Sequence, residues 1–144
     1  MASVSVNRIA PDGLFKPRTT YSQVVEDQTS GIIVTSGQAG VDAEGKLVAP
    51  DTSGQFRQIL KNFDAILAEL GVGREAIMKV TIYTTDVASF YQTDYRIPGD
   101  TSAMAQWAEY FKDAPPASTL LGVTKLSRDD WTIEAEAIIA ARRQ

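Results

Sequence analysis

The stretch from about Ser53 to Leu70 constrains the fold more than any other part of the chain. Phe56, Ile59, Leu60, Phe63, Ile66, Leu67 and Leu70 recur at spacings of three and four, which places them on one face of an α-helix. Thr52 and Gln55 fit a capping box at its start, and Gly71 stands where a helix-ending glycine belongs. Such a stripe is a core face and must be covered by a second layer. Two other segments carry apolar residues at period two instead. Ile133, Ala135, Ala137 and Ile139, led by Trp131, alternate with Thr132, Glu134, Glu136, Ile138 and Ala140. Met78, Val80 and Ile82 alternate with Lys79, Thr81 and Tyr83 within Ile77 to Thr84. Both patterns predict strands with one face buried.

The remaining elements follow from local signals. Residues 1–20, with Pro11, Gly13 and Pro17, read as a short strand and an irregular arm. Tyr21 to Glu26 and the β-branched run Ile32 to Ser36 are predicted strands. Tyr95 to Asp100 contains Pro98 and Gly99 and reads as a loop. Thr101 or Ser102 can cap a second helix carrying Met104, Trp107, Ala108 and Phe111, which Pro115 and Pro116 end. Leu120 to Leu126 reads as a strand and Arg128-Asp129-Asp130 as a turn. The order β-β-β-α-β-α-β-β predicts a single α+β domain over residues 1–144, a mixed sheet with two helices on one face. The uncovered face, with Ile138 on it, calls for a partner, and a second copy of the chain is the simplest.

Composition narrows the chemistry. The chain has no His and no Cys. This removes the commonest general base, thiolate nucleophiles, disulfides and ordinary zinc sites. Acid–base work therefore falls to carboxylates, Lys, Tyr, backbone groups or water. Net charge is −4, from 14 Lys and Arg against 18 Asp and Glu, which argues against nucleic-acid binding. Arg142 and Arg143 read as a solvated tail. No apolar run approaches a membrane span and no secretory leader pattern is visible, so the expected location is cytoplasmic.

Several segments resemble the reactive intermediate deaminase (Rid/YjgF) family, in order and at the family's spacing. They are Tyr21-Ser22-Gln23; Thr35-Ser36-Gly37-Gln38; Gln55 to Asn62; Lys79 to Tyr83 with Asp86; Pro116 to Thr119 with Val123 and Leu126; and Ile133 to Ile138. The resemblance implies a ferredoxin-like or chorismate-mutase-like unit that assembles as a homotrimer around a barrel of sheets. It implies small-molecule sites in clefts between subunits, and hydrolysis of imines or enamines to a carbonyl compound and ammonia without metal or cofactor. In that family an arginine holds the substrate carboxylate and a late glutamate orients the water. Here the glutamate matches Glu134, whereas Ser118 stands in the arginine's place. The segment Tyr91 to Ala105 is longer than the family's, and its pocket asparagine has no unambiguous counterpart between Asp94 and Met104.

The candidate site is thus Glu134 as the catalytic carboxylate, with Tyr21, Ser36, Gly37, Ser118 and Thr119 as substrate-binding residues. Glu134 reads equally as part of a solvated or inter-subunit ion-pair face, and Glu136 as structural. Ser36-Gly37 can offer a backbone N–H, or be an ordinary strand exit. Neither Ser118 nor Thr119 has an activating base in view. Two functions remain in play: a hydrolase of imines or enamines lacking the usual carboxylate contact, and a non-catalytic trimer that binds a metabolite or a protein. Ribonuclease activity, a label some family members carry, is disfavoured by the acidic charge and the absence of His. An arginine reaching the Ser118 cleft, from among Arg18, Arg57, Arg74, Arg96 and Arg128, would favour the first.

Overall fold

A computed structural model describes residues 3–92 and 101–141. The predicted loop at 95–100, Asp94, Arg96 and the Arg142-Arg143 tail lie outside the described residues. The strands are β1 (Val6–Ile9), β2 (Val24–Asp27), β3 (Ile32–Thr35), β4 (Gln38–Ala39), β5 (Ile77–Thr84), β6 (Ala117–Gly122) and β7 (Ile133–Ala140). The helices are α1 (Thr52–Leu70), the single turn α2 (Val87–Phe90) and α3 (Ala103–Tyr110). All strands join one sheet in the order β1-β2-β3-β7-β5-β6, with β4 also pairing β7. Among the described residues only the β5–β6 pair is parallel; its crossover carries α2 and α3. This is the expected mixed α+β sheet.

The α1 stripe packs as its spacing predicts. Phe56, Ile59 and Ile66 are fully enclosed and meet Ile133, Ala135, Ala137 and Ile139 of β7 with Val80 and Ile82 of β5 in one core. The N-cap differs from expectation. Asp51, not Thr52, caps α1, its carboxylate accepting from the Gly54 N–H at 3.0 Å. Gln55 turns inward instead and is fully buried. Gly71 closes the helix at φ 67°, in the left-handed region expected of it.

Three strand predictions shift. Tyr21 precedes β2 rather than belonging to it, and Trp131 precedes β7. β6 begins at Ala117, because parallel pairing of Lys79 with Ala117 sets its register, and Val123 to Leu126 lie beyond it. In β5 a bulge between Ile77 and Lys79 puts Ile77 in the core and leaves Met78 43% exposed. Opposite the helices, the sheet presents Ile32, Val34, Met78, Leu121 and Ile138, each more than a third exposed. On a single chain this face is uncovered.

Candidate functional site

β3 and β4 both run beside β7, β3 opposite Ile138–Ala140 and β4 opposite Glu134 and Ala135. Between them the chain leaves the ladder at Ser36 and Gly37. Thr35 turns its hydroxyl to accept the Ala137 N–H at 3.0 Å, so the interrupted pairing leaves no orphan there. Ser36 Oγ donates to the Ser22 carbonyl at 2.5 Å, tying the break to the segment that carries Tyr21. Gly37 then passes directly over Glu134: a Cβ on Gly37 would collide with Glu134 Oε1. Glycine lets the backbone approach the Glu134 side chain this closely; its φ is not positive, so the reason is space and not conformation.

Strand alternation puts Glu134 and Glu136 on the open face while Ile133, Ala135 and Ala137 enter the core. Burial pushes the Glu134 carboxyl above its usual range, and the charge of Glu136 adds to the effect. Burial, with the charge of Glu134, likewise raises the Tyr21 hydroxyl. Tyr83, level with Glu134 on β5, donates to Glu136 Oε1 at 2.6 Å. Glu136 is therefore held by a phenol, while Glu134 is the half-buried carboxylate beneath Gly37 and near Tyr21. Tyr83 was not singled out from the sequence, although the alternation of β5 marked its face.

Tyr21, Gly37 and Glu134 thus come together, with Ser36 fixing the backbone beside them. The other two candidates stand apart. Thr119 is on the open face but two strands away, about 10 Å across the sheet, where it accepts a hydrogen bond from Lys79 Nζ at 2.6 Å. Ser118 points to the helix side, with Phe90, Tyr91, Met104 and Trp107 around a cavity of about 100 Å³. Among the described residues no arginine lines that cavity. Arg74 is committed to Asp64 by two hydrogen bonds, at 3.1 and 2.9 Å. Arg57 lies along a groove beside Tyr110. Arg128 borders a different cavity, shared by Tyr21 and Gly37. Among the described residues no group of three or more carboxylates could hold a metal ion. None of the described helices is long and apolar enough to cross a membrane.

Comparison with known proteins places the chain in a family. Residues 13–141 match the profile of the family described as Endoribonuclease L-PSP. A RutC family protein of Aquifex aeolicus is 42% identical over 113 residues, covering 76% of this chain and 80% of its own. The 2-iminobutanoate/2-iminopropanoate deaminase of Salmonella typhimurium is 32% identical over 114 residues, covering 77% of this chain and 80% of its own. Among solved structures, the Rid family protein YyfA of Yersinia pestis superposes with a TM-score of 0.81 at 29% identity, over 95% of this chain and all of that one. The YjgF gene product of E. coli gives a TM-score of 0.77 at 30% identity, over 94% of this chain and 99% of that one. With these matches along nearly its whole length, the chain belongs to the Endoribonuclease L-PSP family, the Rid/YjgF proteins.

Proposed function

We propose that this protein hydrolyses small imines or enamines, without cofactor, at a site built around Glu134 and completed by a neighbouring copy in a homotrimer. The observation that carries this reading is the half-buried Glu134 carboxyl packed beneath Gly37 and beside Tyr21, raised above its ordinary range by burial and Glu136. A carboxyl raised by desolvation holds a proton more readily than a free one, which suits it to taking and returning one during a reaction. A water that donates to Glu134 adds to the C=N carbon, and one of its protons passes through the carboxylate to the nitrogen, giving a carbinolamine. The proton on the new hydroxyl then passes through the same carboxylate to the nitrogen as the C–N bond breaks, giving a carbonyl compound and ammonia; an enamine first takes a proton at carbon to become the imine. Deaminase activity in a relative 32% identical to this chain supports the same chemistry. The exposed apolar residues of the open face support assembly.

Ser118 in the place of the family's arginine favours a second reading, a trimer that binds a neutral metabolite without turning it over. A serine hydroxyl offers neither charge nor a planar fork for a carboxylate. The family's endoribonuclease description is not carried over: the net charge of −4 and the absence of His weigh against it.

The test compares carbonyl release from 2-aminoacrylate-derived imines with release from imines that lack a carboxylate. Slow hydrolysis of the imino acids, by two orders of magnitude or more relative to arginine-bearing relatives, faster hydrolysis of the neutral imines and loss of turnover in Glu134→Gln are expected. Ser118→Arg is expected to raise the rate on imino acids. No hydrolysis of either class leaves the binding reading; a monomer by sedimentation at micromolar concentration removes the inter-subunit site altogether.

A further inference from the structure

Strand register places two carboxylates and a phenol together on the open face of β7 and β5. Glu134 lies directly opposite Tyr83, and Glu136 directly opposite Thr81. The Tyr83 hydroxyl nevertheless bypasses its opposite neighbour and donates to Glu136 Oε1 at 2.6 Å. The reason is reach. On an antiparallel pair, directly opposite residues have Cβ atoms about 4.5–5.5 Å apart, whereas diagonal ones lie roughly 7–8 Å apart. A tyrosine ring fills the shorter gap and delivers its hydroxyl across the longer one. The bond is short and charge-assisted. That bond, and then burial, hold the Tyr83 hydroxyl above its usual range, so it stays a donor.

Glu134 receives no such bond. Among the described residues nothing donates to its carboxylate, which has the Gly37 backbone above it and the charge of Glu136 beside it. Two glutamates two positions apart on one strand face thus differ in one respect: one has a donor and the other has none. The other groups on this face do not even out the difference. Tyr21 lies near Glu134, and burial with that charge raises its own hydroxyl. Lys79, further along β5, gives its Nζ to Thr119 at 2.6 Å. Ala39 of β4 and Thr119 and Leu121 of β6 face the group from either side, and β3 presents Ile32 and Val34. None of these five titrates.

We propose that Tyr83 is a positioning residue for Glu134: by holding Glu136 it keeps that carboxylate from sharing a proton with Glu134, which is left as the one carboxyl of the pair to take up and return a proton. Without the phenol, the nearest donor for Glu136 is the proton on Glu134. The two then hold one proton between them, as close carboxyl pairs do, and Glu134 releases it less readily. Tyr83 therefore acts on Glu134 only through Glu136. The proposal rests on the reading of Glu134 as the reacting carboxylate and deepens it, and its central claim is measurable without turnover.

The experiment follows the Glu134 side-chain carboxyl carbon by NMR in the full-length protein, from acid to neutral pH, its signal assigned by its loss in Glu134→Gln. Tyr83→Phe, which keeps the ring, is expected to move the Glu134 titration to higher pH by about half a pH unit or more, the size of an effect between neighbouring carboxylates. Glu136→Gln removes the charge and is expected to move it to lower pH by a similar amount. The double variant should match Glu136→Gln alone, because Tyr83 then has no carboxylate to hold. Each replacement keeps the size of the side chain, and circular dichroism checks that each variant is folded. If Glu134 turns imines over, the acid limb of kcat/KM follows the same displacements. A Glu134 titration unmoved by Tyr83→Phe overturns the proposal, since a tyrosine that only packs would leave it unmoved. So does a double variant that still differs from Glu136→Gln. The two readings fail separately. Imine hydrolysis with unmoved titrations removes the role of Tyr83 alone; the expected displacements in a protein that hydrolyses no imine keep the pairing and remove the reaction.

Discussion

The Glu134 carboxylate occupies the space in which a side chain on Gly37 would stand. The relationship has a direction. The Glu134 backbone is set by the β7 ladder, between the fully buried Ile133 and Ala135. Gly37 lies where β3 and β4 are interrupted, so the chain there is free to yield but has a carboxylate beneath it. Gly37→Ala is therefore expected to push Glu134 aside or lift the strand break. Overpacking of this kind costs about 1–3 kcal/mol, and catalysis that needs Glu134 in place falls with it. The cause is separable by a double-mutant cycle in urea unfolding. In a Glu134→Ala background the added methyl has room, and its cost should largely vanish. Equal costs in both backgrounds would locate the problem in the backbone rather than in this contact.

Glu134 also makes a prediction about pH. Its carboxyl is raised by burial and then by Glu136, so the folded state holds its proton more tightly than the unfolded chain does. A raised acid stabilises the fold below its ordinary range and forfeits that contribution as pH rises through the folded value. The groups facing it are Glu136 on the same strand, Tyr83 on β5 and Tyr21 across Gly37. Asp27, Asp51 and Asp86 are lowered by hydrogen bonds from neighbouring hydroxyls, chiefly Ser30, Ser53 and Ser89, and pull the whole-protein curve the opposite way. The informative quantity is thus the difference between wild type and Glu134→Gln. The melting temperature of the glutamine variant should gain on wild type from pH 4 to pH 7. A constant difference would show that Glu134 is not desolvated.

The α1 stripe, the β7 alternation and the α+β class were legible because each rests on a long periodic run. Boundaries were not, for identifiable reasons. Asp51 and Thr52 are both good capping residues, and only the inward commitment of Gln55 decides between them. The start of β6 depends on its parallel partner, which apolar spacing within 120–126 cannot reveal. Met78 fits the alternation of its own strand, yet a bulge reverses it. In the site, Glu134, Tyr21 and Gly37 were legible through resemblance and alternation together. The separation of Ser118 from them on one chain was not, because facing depends on the register that the sequence had misplaced. Arg128 was flagged only for its charge; the cavity around it is assembled from five separate stretches of chain.

The outer face of α1 is tied to α3 by a three-residue arrangement open to direct test. The Tyr110 hydroxyl donates to Asp64 Oδ1 at 2.7 Å, and Arg74 grips the same carboxylate while its guanidinium lies 3.7 Å from the Tyr110 ring centroid. Tyr110 is 7% exposed, and burial with the Asp64 hydrogen bond pushes its phenol far upward. Tyr110→Phe keeps the ring and its stacking but removes a hydrogen bond to a charged acceptor. Asp64 retains Arg74, so it is not orphaned. The expected loss is about 1–2 kcal/mol in urea unfolding. Arg74→Lys should cost less than that in stability, since its ion pair is exposed. A phenylalanine variant as stable as wild type would mean that water replaces the phenol at Asp64.

Gln55 is expected to be the most sensitive polar position in the fold. It is fully buried at the first turn of α1. Its amide nitrogen donates to the carbonyls of Ala49 and Asp130 at 3.2 and 3.0 Å, and its oxygen accepts the Thr132 N–H at 2.9 Å. One side chain thereby joins the loop before α1 to the entry of β7, the strand that carries Glu134. Gly40 packs so closely on it that a Cβ there would meet the Gln55 backbone, so the pocket cannot relax around a replacement. Gln55→Leu fills the volume but leaves a buried N–H and two carbonyls unpaired, at an expected cost of about 2–4 kcal/mol. Gln55→Glu separates shape from hydrogen bonding. As a carboxylate it would face two carbonyls; as a neutral acid it restores one donor and one acceptor. Its folded pKa must therefore rise, and its stability deficit should shrink as pH falls from 7 towards 5. Thermal unfolding of both variants across that range distinguishes the cases: the leucine deficit should stay constant while the glutamate deficit closes. A glutamate variant equally unstable at both pH values would show that the amide's two donors, rather than a buried charge, set the cost.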